Sequence, residues 1–189
     1  IPGNLMLRPI TLLYVPAKPI LQHWNGTSWK SFTPPGMNGE GEITDIEAVA
    51  PNDVWAGGFT GSNALDYYLA HWDGTSWTRV TPPAGVKPVA MASHDGVLWT
   101  PGSRGGFWSF KDGEWTLHPG PSGHPQATKK GVYSYSDLDR YFWNGTSWIK
   151  IPEAPGNSSR TLMDSGEMWA IDRDSLIIYR WDGGDGWEK

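Results

Sequence analysis

The chain has 189 residues, no Cys, 13 Trp, 24 Gly and 16 Pro, and 15 basic against 20 acidic residues give it a net charge of −5. That length suits one domain, residues 1–189, able to bury roughly 70% of its unfolded surface. The composition excludes a disulfide framework, a thiolate nucleophile and a Cys-ligated metal, and the acidic balance lacks the Lys/Arg field a phosphate backbone requires, so no nucleic-acid partner is expected.

In chain order, the first unit opens with an apolar run, Ile10 to Val15, far short of the roughly 20 residues of a membrane helix, so no membrane span is expected. Its Leu12-Leu13-Tyr14 reads as a strand, followed by the heptapeptide His23-Trp24-Asn25-Gly26-Thr27-Ser28-Trp29. Asn-Gly accepts the positive φ of a tight turn, so this heptapeptide predicts a hairpin flanked by Trp24 and Trp29. Thr33-Pro34-Pro35-Gly36 then resets the chain, since Pro cannot continue a central strand. The second unit offers an inner strand over Ile43–Val49, a turn at Pro51-Asn52-Asp53, a strand carrying Trp55, and the hairpin His71-Trp72-Asp73-Gly74-Thr75-Ser76-Trp77. The third repeats the plan with an inner strand at Pro88–Met91, a strand ending at Trp99, and a degenerate hairpin, Phe110-Lys111-Asp112-Gly113-Glu114-Trp115. The fourth carries Gly131-Val132-Tyr133 and Phe142-Trp143-Asn144-Gly145-Thr146-Ser147-Trp148, and the fifth Glu167-Met168-Trp169 and Trp181-Asp182-Gly183-Gly184-Asp185-Gly186-Trp187.

The spacing of these hairpins, roughly 40 residues, is that of about four short strands with their turns. No stretch has helical periodicity. Four short strands cannot bury both faces of their sheet, whereas units stacked around an axis can. The prediction is therefore an all-β protein, a five-bladed β-propeller of about four antiparallel strands per blade, with blades near residues 1–35, 36–84, 85–120, 121–154 and 155–189. The repeated Trp residues are expected to fill the wedges between blades, Trp55, Trp99 and Trp169 to be core, His23 and His71 to be structural, and each Thr-Ser pair to hydrogen-bond back into its loop. Asn25, Asn144 and Asn157 match glycosylation sequons, two of which the turn already explains.

The alternation of Asn52-Asp53-Val54-Trp55-Ala56 with His71-Trp72-Asp73-Gly74-Thr75-Ser76-Trp77 resembles the repeat units of secreted bacterial propellers, especially actinobacterial and myxobacterial surface proteins. That likeness implies a secreted or cell-surface protein, and because the chain opens on Ile1 without a signal peptide it is expected to be a mature or excised piece. Trp181 through Trp187 is also similar to the hairpin of small fucose-binding propeller lectins. That family reads its sugar with an inner-strand Arg and a Glu three residues before the hairpin aromatic. Here those Glu positions hold Leu21, Leu69, Phe107, Arg140 and Ile178, which do not match.

Function is expected where the units differ. Trp108 stands where earlier units have Gln22 and Ala70, with Arg104 in a Gly-rich turn just before it, a pairing suited to stacking a sugar ring and binding its hydroxyls. His118 and His124 flank an inter-blade loop. Tyr135, Asp137 and Arg140 sit at a turn whose carboxylates are too few for Ca²⁺. The candidate ligand-binding set is therefore Arg104, Trp108, His118, His124, Tyr135, Asp137 and Arg140, with no catalytic residue, metal or cofactor assigned. The leading expectation is a non-catalytic, lectin-like propeller for a carbohydrate or glycoprotein. The alternatives are a protein-interaction or assembly scaffold and a propeller enzyme, a lyase or hydrolase, acting at the axial pocket.

Overall fold

The computed structural model describes residues 18–37, 39, 41–61, 66–136 and 139–189. The strand expected at Leu12-Leu13-Tyr14 and the candidate Asp137 lie outside them. The first sheet has two described strands, β1 (Leu21–Trp24) and β2 (Trp29–Phe32). The second is built from β3 (Gly41–Ala50), β4 (Asp53–Thr60), β5 (Asp66–Trp72) and β6 (Trp77–Arg79), and the third from β7 (Ala92–His94), β8 (Val97–Pro101), β9 (Phe107–Lys111) and β10 (Glu114–His118). β11 (His124–Ala127), β12 (Val132–Tyr135), β13 (Arg140–Trp143) and β14 (Trp148–Lys150) form the fourth; β15 (Ser158–Leu162), β16 (Met168–Asp172), β17 (Ile178–Trp181) and β18 (Trp187–Glu188) form the fifth. Every pairing joins sequence neighbours antiparallel, the up-and-down blade of a five-bladed propeller. One expectation shifts: the inner strand of the third blade starts at Ala92, because Val89 N–H turns back onto Lys87 C=O (2.8 Å) and leaves Pro88–Met91 as a bend.

Two turn chemistries close the hairpins. Asp112 (φ 51°) and Gly113 (φ 87°) make a two-residue type I′ turn between the paired Lys111 and Glu114. Three of the other outer hairpins use four loop residues between paired Trp, as in Trp24↔Trp29 and Trp143↔Trp148, and the last uses five between Trp181 and Trp187. There only the Gly takes the left-handed conformation (Gly145 φ 96°), and the preceding Asn or Asp caps the loop. Asn144 Oδ1 accepts the backbone N–H of Thr146 (2.9 Å) and Ser147 (2.8 Å), so backbone amides make most of the bonds expected of the hydroxyls. In Asp73 the same amides of Ser76 and Thr75 lower the carboxyl below its ordinary range.

The wedges between blades are aromatic. Trp55 of the second sheet meets Phe110 (4.9 Å between ring centroids) and Trp115 (6.5 Å) of the third, and Trp99 of the third meets Trp143 (5.7 Å) and Trp148 (6.1 Å) of the fourth. Tyr133 continues the rule into the fifth blade beside Trp181 and Met168. Trp24 and Trp29 depart from it, being 47% and 65% exposed. Hydrogen bonds also join neighbouring units: Tyr68 OH to Pro35 C=O (3.1 Å), Tyr133 OH to Gly166 C=O (2.6 Å) and Trp187 Nε1 to Pro152 C=O (3.1 Å). Burial pushes the hydroxyls of Tyr68 and Tyr133 up to about 12.

Between the second and third blades the backbone comes unusually close. A Cβ on Gly57 would lie 1.9 Å from Pro88 O, so only Gly fits. Beside it Thr44 Oγ1 donates to Val89 C=O (3.0 Å), Asp45 accepts the Met91 N–H, and the Ser93 hydroxyl donates to Glu47. Gly57→Ala should cost about 3 kcal/mol and lower Tm by roughly 6–12 °C in calorimetry. Glu47 carries a second prediction. Burial raises its carboxyl above 4.5, the Ser93 bond opposes that, and Asp45 adds to it. The folded chain then holds this proton more tightly than the unfolded one, so stability declines as pH rises from 4.5 through the folded value. Glu47→Gln keeps an acceptor for Ser93 and should raise Tm by about 1–3 °C at pH 7, with the gain vanishing near pH 4.

Candidate functional site

The structure gathers three of the sequence-chosen residues around β10. Trp108 on β9 stands directly across from Leu117 on β10, and with Ser103, Arg104, Ala84 and Gly85 they line a cavity of about 360 Å³. Consecutive left-handed glycines, Gly105 (φ 85°) and Gly106 (φ 71°), fold the loop back so tightly that a Cβ on Gly106 would lie 2.6 Å from His118 O. The Ser103 N–H bond to Gly85 C=O (2.8 Å) pins the loop, and Arg104 projects exposed from its tip.

A second cavity of about 670 Å³ opens on the other side of β10, lined by His118, Tyr141, Trp143, Thr146, Ser147 and Trp148 together with the loop Pro119–Pro121. Leu117, 45% exposed, borders both cavities. His118 closes β10: its Nε2 lies 2.8 Å from Ser109 Oγ, and its ring sits 4.7 Å from that of Trp99 and 4.8 Å from that of Trp143. Ser109 is 8% exposed, so this Ser–His contact fastens β10 to β9 rather than presenting a nucleophile.

The remaining candidates form a separate row across the fourth sheet, where His124 pairs with Tyr135 and Tyr135 with Arg140. Arg140 is committed within that row: Nη2 donates to Tyr135 OH at 2.6 Å, and the guanidinium lies 4.4 Å from the ring centroid. His71 is structural as expected, because Asp53 Oδ1 accepts from both Trp55 Nε1 (2.7 Å) and His71 Nε2 (2.8 Å) while the imidazole stacks on the indole at 4.3 Å. Sequence reasoning missed Leu117, Tyr141 and the cavity role of Trp148. The apolar alternation of Trp115 and Leu117 was the available signal for the first.

Burial lowers the His118 imidazole below 6.5, so the unfolded chain binds this proton more readily than the folded one. Stability is therefore fully present above 6.5 and is lost as pH falls from there through the folded value. Urea unfolding between pH 7 and 5 should show that slope in the wild type and a flatter one in His118→Gln.

No family model matches the chain, and no curated protein matches it. Among solved structures it is similar to one described as YCF48 bound to D1 peptide, with a TM-score of 0.60 and 17% identity, covering 93% of this chain and 63% of that one. YCF48 from Cyanidioschyzon merolae is matched at a TM-score of 0.46 and 18% identity, covering 79% of this chain and 56% of that one. The chain thus spans less than two thirds of either, and at this identity the first likeness shows the fold, a β-propeller.

Proposed function

We propose that this chain is a protein-interaction propeller whose third blade receives a segment of a partner protein. The observation that carries the reading is the convergence of Arg104, Trp108 and His118 on two cavities that meet at Leu117. An exposed leucine flanked by aromatic walls and an exposed cation is the anchor-and-rim arrangement of peptide sites. The propeller neighbour described as bound to D1 peptide supports the same class of ligand. The sugar-binding reading rests on the same Trp108 and Arg104, and the peptide-bound neighbour does not add to it. On the hairpin resemblance alone, we also propose that the protein works outside the cell or at its surface.

Selection of a displayed library of random 16-residue peptides on the immobilised protein tests the reading, with a glycan array run in parallel. Peptides should enrich on the wild type, and Trp108→Ala should weaken the best of them by about 30-fold, the loss of one anchor worth about 2 kcal/mol. No enriched peptide together with a glycan hit that Trp108→Ala abolishes would replace this proposal with the lectin reading.

A further inference from the structure

The geometry points to the mode of binding: we infer that a partner segment adds as a strand to the outer edge of β10, an inference that rests on the peptide-binding reading above. β10 is the outermost strand of the third sheet, and with five residues it is longer than β2, β6, β14 or β18, its counterparts in the other sheets. The type I′ turn fixes which of its backbone groups are free. Lys111 and Glu114 close the two-residue hairpin as a hydrogen-bonded pair, so Thr116 and His118 also bond inward to β9. Trp115 and Leu117 therefore point their N–H and C=O outward, and no turn or loop bond reaches those groups among the described residues.

The two cavities lie on opposite faces of this edge. Trp115 and Leu117 share a face with Phe110 and Trp108, and that face looks to the second sheet, where Trp115 meets Trp55. His118 lies on the other face, against Trp143 of the fourth sheet. An added strand alternates its side chains between the two faces with a period of two. One set enters the cavity of Trp108 and Leu117, and the next enters that of His118, Thr146 and Ser147. The partner is accordingly an extended segment with apolar side chains at alternate positions and polar ones between them, joined to β10 through main-chain hydrogen bonds. Cavities on both sides of an unpaired edge are what strand addition requires. A helix laid in a groove would use one face and leave the edge bonds unmade.

The test uses the tightest peptide from the displayed library. Backbone N-methylation at each position in turn should weaken binding at least tenfold at every second residue. In the complex, the amides of Trp115 and Leu117 should exchange with deuterium at least tenfold more slowly than in the free protein, as read by NMR. Leu117→Pro removes an outward N–H without touching the ladder to β9, and it should bind at least tenfold more weakly than Leu117→Ala, which lacks the same side chain. A peptide that binds with N-methylation tolerated throughout and the two amides unchanged overturns strand addition while leaving peptide binding intact. Failure of every library peptide to bind overturns both.

Discussion

The contact on which the whole molecule depends is the one between an aromatic on the second strand of a blade and the aromatic pair on the hairpin of the next. Trp55 against Phe110 and Trp115, and Trp99 against Trp143 and Trp148, are the same junction built twice. A four-stranded sheet has no interior of its own, so its faces become core only when a neighbour covers them. Burying one indole removes on the order of 150–250 Å² from water, worth about 4–6 kcal/mol before entropy is charged against it. A single hydrogen bond across the junction contributes about 1 kcal/mol. Aromatic burial therefore dominates the junctions between blades, and hydrogen bonds such as those from Tyr68 and Tyr133 add to it.

An indole also brings an N–H that must be satisfied, which explains why particular polar residues accompany the Trp. Asp53 serves Trp55, the Gly184 carbonyl serves Trp181, and the Pro152 carbonyl serves Trp187. Asp53 then has capacity left to hold His71, so one carboxylate orients both members of a stacked pair. Among the described residues Trp148 lacks such a partner: its Nε1 is buried without a hydrogen bond, and Gly120 lies directly over it, where a Cβ would be 2.3 Å from the indole Cδ1. An unmet donor costs about 1–3 kcal/mol. The fourth hairpin tolerates it beside the larger cavity, where the packing of Phe107 and Trp99 on the same ring offsets the loss.

The repeat was legible because its signals are local. Asn-Gly and Asp-Gly turns, Trp at fixed offsets and Pro-rich links each act within a few residues, and together they specify antiparallel hairpins regardless of what lies beyond. What depends on the approach of distant segments was not legible. Pro88–Met91 reads as a strand until the close packing of Gly57 on Pro88 is seen, and nothing local announces that contact. The site divides in the same way. Arg104 and Trp108 were visible as departures from the repeat, and so was His118 from its loop. Leu117 was not, because its meaning comes from an exposed strand edge with a cavity on each side. His124, Tyr135 and Arg140 depart from the repeat in the same way, and the structure aligns them in one row, with Arg140 already engaged by Tyr135.

These two scales explain why a blade's rim, and not the aromatic junctions, has backbone free to bind. A surface that holds blades together by excluding water has no free face for a ligand, and opening it would forfeit the energy that packs one blade on the next. The rim is different, because the outermost strand of each blade must keep one side of its backbone unpaired whatever its sequence. Most outer strands here are too short to template another chain, at two to four residues. β10 escapes that limit because its type I′ turn and the His118–Ser109 bond hold five residues in register from end to end. The same interactions that complete the third blade therefore also prepare the edge that a partner would extend.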